Sequence, residues 1–245
     1  MGERSKSRFT TYTEAEHGSL VKQGADTIKR VLETSDVQTK LSILLYLDKY
    51  LDEWYGYEVK DKEEIISILE KHLFIEVNAD VREDILNLLS LYSLSNLDYL
   101  AEHINELSEE DLPDAISALG STFNDKYFSL ISDFGNNSNE LVCMSAREAK
   151  QDILDCQKKV KDELLKQIKQ CLNGEISREK FYEVSEAYYT KYTNIISNTE
   201  FNKVYLSIIP DVCLFYKKEL GLCDKIDEVE FQKCLESAYI KLFNI

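Results

Sequence analysis

The side chains in this chain with catalytic or metal-binding potential are few and widely spaced. The histidines are His17, His72 and His103, and the cysteines are Cys143, Cys156, Cys171, Cys213, Cys223 and Cys234. A tetrahedral zinc site starts from a close pair of Cys or His ligands, and no such pair occurs. Glu14-Ala15-Glu16-His17 supplies one E-x-x-H, the unit that di-iron bundles use in pairs, but there is no second copy. No P-loop, G-x-G-x-x-G, G-x-S-x-G, H-E-x-x-H or EF-hand loop is present. His103 stands beside Leu100, Ile104 and Glu102, which reads as a histidine flanking a core whose charge can follow pH. The expectation is therefore a noncatalytic protein with no catalytic residues, no metal and no cofactor.

Carboxylates are what the chain has in excess. It holds 29 Lys+Arg against 45 Asp+Glu, a formal net charge of −16. Residues 1–142 carry net −15 of this and residues 143–245 only −1. Between Glu83 and Ala146 there are 12 acids and one basic residue, Lys126. A one-sign stretch stores self-repulsion that a cationic partner would relieve, and it can steer that partner's approach. The alternative is a solvated face that serves solubility. Asp98, Glu102, Glu106, Glu109, Asp114 and Asp125 are the candidate partner-binding residues, because Asp98, Glu102 and Asp125 lie opposite the apolar stripes of their helices and stacking would align them along a groove. The expected partner is a basic protein; nucleic acid is excluded, because neutralising phosphates requires Lys or Arg.

Membrane insertion is not expected either. The longest nearly apolar run, Val204 to Tyr216, contains Pro210 and Asp211 and is shorter than the ~20 residues that span a bilayer. MGERSKSRFT lacks an apolar signal core, and Lys6 stands where N-myristoylation needs Ser or Thr. A soluble, cytoplasmic protein with reduced, buried thiols is the expectation.

The elements that must position these residues read as helices almost throughout. Val81, Ile85, Leu88, Leu89 and Tyr92 share one helical face, as do Leu97, Leu100, Ile104 and Leu107. Further helices are expected from Glu14 to Glu33, Asp36 to Glu53, Asp61 to Leu73, Leu112 to Leu119 and Asn124 to Phe134. After a polar turn at Asn136 to Asn139 come Ala146 to Leu172, stopped by Asn173-Gly174, then Ser177 to Ser197, Asn202 to Glu219 and Val229 to Phe243. Ser108 with Asp111, Ser145 with Glu148 and Asp227 with Glu230 have capping spacing, and Pro113 and Pro210 are placed as helix beginnings. Trp54 with Tyr55 and Tyr57 reads as the packing of a helix end or as an exposed binding patch.

An internal repeat sets the expected architecture. DVQTKLSILLYL from Asp36 is echoed by DVREDILNLLSL from Asp80, and DLPDAISALG from Asp111 follows. Second helices start at Asn96 and Asn124. A hairpin of this kind cannot bury its apolar face alone, so repeated hairpins stack. Over about residues 36–135, with Asp80-Val81-Arg82 opening one helix and Ala118-Leu119-Gly120 closing another, the chain resembles the HEAT family. That resemblance implies an all-α fold: a short right-handed α-solenoid of helical hairpins over residues 1–140, strongly acidic. A near-neutral C-terminal bundle or capping region follows over residues 141–245, rich in tyrosine at Tyr182, Tyr188, Tyr189, Tyr192, Tyr205, Tyr216 and Tyr239. The HEAT-like hydroxylases rely on His-Glu dipeptides, which this chain lacks, and the HEAT-like glycosylases present a basic cleft.

LNGEISREKFYEVSEAYY from Leu172 also resembles a segment of bacterial immunity proteins. Together with the charge, this implies an intracellular immunity protein that occludes a basic toxin, with a nuclease as one candidate. A scaffold that holds a peptide or helix in the solenoid groove is the alternative reading, and a helical-repeat enzyme with an unrecognised site the remaining one.

Overall fold

A computed structural model describes residues 14–59, 61–92, 96–214 and 228–245. Among the described residues the chain forms twelve α-helices and no strand, as the 3.6-residue periodicity predicts. No helix among them is long and apolar enough to cross a membrane.

The first deviation from expectation is at Gly24. Helices α1 (Glu14–Lys22) and α2 (Ala25–Thr34) replace the single helix expected there, because Gly24 sits at φ 90° and ψ −174°, a region open essentially to glycine alone. Helix α3 (Val37–Leu51) starts where Asp36 accepts the Thr39 N–H at 3.0 Å and the Thr39 hydroxyl at 2.9 Å. A 3₁₀ turn, Glu53–Tyr55, follows it. Next come α4 (Lys62–Leu73), α5 (Ala79–Tyr92) and the short α6 (Asp98–His103), which tightens into a 3₁₀ turn at Ile104–Glu106. Pro113 occupies the first turn of α7 (Leu112–Ser121), where its missing N–H removes no bond. Another 3₁₀ turn, Asp125–Tyr127, leads into α8 (Phe128–Asp133).

Helix α9 (Glu140–Leu172) is 33 residues long and begins before the expected Ala146. Asn139 opens it by accepting the Leu141 N–H at 3.0 Å, so Ser145, placed by spacing as a cap, lies inside the helix. It ends as Asn173-Gly174 requires: Gly174 is left-handed at φ 72°, and the Glu175 N–H reaches back to the Gln170 carbonyl at 2.9 Å. Helix α10 (Arg178–Ile196) is capped by Ser177, whose hydroxyl accepts the Lys180 N–H at 3.2 Å. Pro210 falls inside α11 (Glu200–Leu214) and not at a helix start, which corrects the expectation for that proline. The last helix is α12 (Glu228–Phe243); Asp227 and its expected cap lie outside the described residues.

The chain divides into two compact units, residues 1–122 with 127–150, and residues 123–126 with 151–245. In the first, α3 packs on α1 and α5, and α5 on α7; α4 packs on α2 and α6; α4 also meets α5, and α6 meets α7. Their interior is aliphatic, with Ile28, Leu32, Ile43, Leu47, Ile65, Leu69, Ile85, Leu89, Leu100, Ile116 and Leu119 wholly excluded from water. The second unit has its own core, in which Phe181 and Phe231 are surrounded by Leu164, Ile168, Ile196, Tyr205, Leu235 and Leu242.

The three repeated aspartates do different work. Asp36 is a cap. Asp80 lies within α5, because Asn78 accepts the Val81 N–H at 3.1 Å and opens that helix earlier. Asp111 is buried and takes the Arg82 Nε–H at 2.9 Å and the Ser108 hydroxyl at 2.8 Å. Asn96 and Asn124 are equivalent, each accepting the N–H two residues on, from Asp98 at 3.1 Å and from Lys126 at 3.2 Å. Among the described residues Cys143, Cys156, Cys171 and Cys234 are free thiols; Cys171 is buried as expected, whereas the other three are half-buried.

Candidate functional site: an acid-lined pocket

Helix α4 presents Glu63, Ile66, Ser67 and Glu70 on one face, at offsets of three, four and seven. Opposite stand Asn96, Asp98 and Tyr99 at the entry to α6, and together the seven residues enclose a cavity of about 510 Å³. Its polar lining carries three carboxylates and no lysine, arginine or histidine. Glu63 and Asp98 are exposed at the rim, whereas Glu70 is buried at 6% exposure.

Glu70 is fixed by the backbone of the next hairpin. Its Oε1 accepts the Leu100 N–H at 3.0 Å, one of the first-turn donors that α6 cannot satisfy internally. The Tyr127 hydroxyl accepts the Leu97 N–H at 2.6 Å and lies 2.9 Å from Asp98 Oδ1 and 3.1 Å from Asn96 Oδ1, so its proton is shared between two acceptors. Tyr99 is held as a wall by stacking on His103 at 4.2 Å and edge-on to Phe74 at 5.6 Å. The His103 ring donates through Nδ1 to the Tyr99 carbonyl at 2.9 Å, which fixes the ring against the wall.

Burial raises the Glu70 carboxyl above the ordinary glutamate value, and the Asp98 charge raises it further against the Leu100 N–H. Burial raises the Tyr127 hydroxyl as well, with the Asp98 and Glu70 charges adding to it. The pocket's lining is anionic and, among the described residues, carries no cation, and the Lys71 charge beyond it lowers Glu70 against the burial. Among the described residues no three His, Cys, Asp or Glu side chains converge as a metal requires. An organic cation carried by an ammonium or guanidinium group fits the chemistry of this lining, which sets carboxylate oxygens beside the Tyr99 ring.

A smaller cavity of about 230 Å³ is lined by charges of both signs, Lys29 and Lys71 against Asp26, Glu33 and Glu64. Its wall includes His72, which belongs to a buried network: Glu76 Oε2 accepts from Lys40 Nζ at 2.5 Å and lies 3.0 Å from His72 Nε2, while Glu76 Oε1 takes the Asn78 N–H at 2.9 Å. These partners satisfy one another and tie α3, α4 and the turn before α5 together. With two lysines set against three carboxylates, this cavity has a smaller anionic excess than the first.

Of the six acids singled out by sequence, only Asp98 lines the pocket. Glu102, Glu106, Glu109 and Asp114 are exposed on α6, its 3₁₀ extension, the following turn and α7. Partial desolvation at the helix surface raises the Asp114 carboxyl, with Glu83 and Asp111 repelling it. Asp125 does not belong to an exposed acidic face: it is 5% exposed, and its oxygens accept the Ser197 hydroxyl at 2.6 Å, the Asn198 N–H at 2.6 Å and the Asn198 amide at 2.9 Å. Helical phase pointed it outward, but the turn it occupies is 3₁₀, where α-helical phase does not apply. Glu63 and Glu70 were missed. The available signal was Glu70 itself, a carboxylate one residue beyond Leu69 on the buried side of α4. No family model matches the chain, and no curated protein or solved structure matches it significantly, so the pocket is interpreted from its own chemistry.

Proposed function

We propose that this is a noncatalytic protein-binding module that captures a basic protein, with the Glu63, Glu70 and Asp98 pocket receiving a cationic side chain of that partner. The observation that carries this reading is a cavity of three carboxylates with no cation in its lining. The packing of α3 on α5 and α5 on α7, alongside α2 on α4 and α4 on α6, supports reading the first unit as a short right-handed α-solenoid of HEAT-like hairpins. The most specific form of the proposal is an immunity protein that occludes a basic toxin. Carboxylates would then face the lysines or arginines that hold phosphate in a nuclease site. Close charge pairs of this kind couple by roughly 1.5 to 7 kcal/mol.

The test is capture of the partner from the source cell, followed by affinity measurement at ~50 and ~300 mM salt, levels that change charge screening appreciably. Affinity is expected to fall steeply with salt, and Asp98→Asn with Glu63→Gln to weaken binding roughly tenfold. Protection of cells against a toxin encoded alongside should be lost in an Asp98→Lys, Glu102→Lys, Asp114→Lys variant. Salt-insensitive binding of a neutral partner would overturn the proposal in favour of a scaffold for peptides or helices.

A further inference from the structure

Trp54 is the only tryptophan in the chain, and it is 89% exposed. It stands on the 3₁₀ turn after α3, which is fixed at both ends. Asp52 Oδ1 accepts the Trp54 N–H at 2.9 Å, and Gly56, left-handed at φ 67°, donates its N–H to the Glu53 carbonyl at 3.0 Å. Tyr57 stacks on Tyr50 of α3 with ring centroids 4.6 Å apart and planes 9° from parallel, and lies 6.4 Å from Tyr55. Residues 53–58 are all exposed, so three aromatic rings and the carboxylates of Glu53 and Glu58 lie in one rigid, solvent-facing segment, with Asp52 half-exposed beside them.

A fixed turn that leaves its largest apolar side chain in water forgoes burial and carries an association liability, which marks such surfaces as contact sites. The chemistry of this one is selective. Aromatic faces attract cations, and Lys49 Nζ already sits 5.5 Å from the Tyr55 ring centroid. Carboxylates beside the rings can pair with the edge of a guanidinium whose plane stacks on an aromatic face, a combination that suits arginine better than lysine. A second copy of the chain would set Glu53 and Glu58 against their own kind, and an anionic bilayer would be repelled by them.

We propose that the turn bearing Trp54, Tyr55 and Tyr57 is a docking surface for an arginine-rich segment of a protein partner, its rings stacking on guanidinium planes while Glu53 and Glu58 pair with their edges. This rests on the reading of the partner as basic and adds a second contact surface to the acid-lined pocket.

Trp54 is its own reporter, since tryptophan fluorescence in this chain arises from that residue alone. Titration of the full chain with an oligoarginine peptide at low salt should quench or shift the emission to saturation, oligolysine should act more weakly, and a glycine-serine peptide should not act. Calorimetry should show oligoarginine affinity falling roughly tenfold in Trp54→Ala and less in Trp54→Phe. Glu53→Gln with Glu58→Gln should lower it several-fold and flatten its salt dependence. Trp54→Ala changes an exposed side chain, so the variant will fold. Unchanged emission, equal affinity for Trp54→Ala, or an emission shift that follows protein concentration without peptide would overturn the proposal. A native partner that is not basic would remove the functional reading while a positive peptide result stood. A basic partner bound equally well by Trp54→Ala would remove the docking surface and leave that reading intact.

Discussion

Glu70 and Glu76 are both buried glutamates of the first unit, yet their surroundings act in opposite directions. Burial pushes the Glu76 carboxyl up, but Lys40, the Asn78 N–H and His72 outweigh it and hold it at about 2. His72 is lowered by burial, against its bond to Glu76. Both groups bind fewer protons folded than unfolded, so stability is full above the ordinary histidine value and declines as pH falls, more steeply below 4.5. Denaturant unfolding from neutral pH to pH ~3 should show this loss, with Glu76 contributing on the order of 2–3 kcal/mol. Glu76→Gln should start less stable and lose less. Glu70 reverses the sign: its raised carboxyl contributes fully below the ordinary value and loses that contribution as pH rises through the raised one, and at neutral pH burial of its charge is a cost that the Leu100 N–H offsets only in part. Glu70→Gln keeps an acceptor for the Leu100 N–H and should raise neutral-pH stability by about 1 kcal/mol while weakening partner binding. Destabilisation by Glu70→Gln at pH 7 would contradict this account of the pocket floor.

At the level of elements, the informative case is where α9 begins. Ser145 with Glu148 has capping spacing, but spacing only makes a cap available. Asn139 competes for the role and succeeds because Val142 and Ala146, both buried, need the helix already formed to reach the core. Asn139→Ala should therefore cost about 1 kcal/mol, and Ser145→Ala should change stability by less than about 0.5 kcal/mol. Thermal melts of the two variants separate the alternatives; equal losses would place the helix start elsewhere. The same competition explains Asp80, displaced as a cap by Asn78, and Gly24, whose backbone breaks a continuous apolar stripe into two helices.

For the whole molecule, the dominant quantity is a net charge of −16 concentrated in residues 1–142. Ion pairs such as Arg82 with Asp111 and Lys40 with Glu76 are neutral within that total, so the −16 is what is left after every cation is counted. The remainder repels itself. Raising salt from ~50 to ~300 mM should increase the melting temperature by a few degrees, because screening relieves that repulsion, while partner affinity falls over the same range. The two opposite slopes belong to one field. A melting temperature that drops with salt would mean that attractive ion pairs outweigh the repulsion.

Sequence alone determined the helical class, most helix spans, the helix start at Asp36, the stop at Asn173-Gly174 and the location of the charge, because these depend on neighbours within one or two turns. Tertiary structure decided which carboxylates matter. Glu70 meets Leu100 across 30 residues, Tyr127 reaches Leu97 and Asp98 from the next hairpin, and Asp125 is withdrawn by Ser197 and Asn198 more than 70 positions away. A helical stripe says which side of a helix is apolar. Whether an acid on the other side meets water, a backbone donor or an open cavity depends on what packs there, and that partner is remote in the chain.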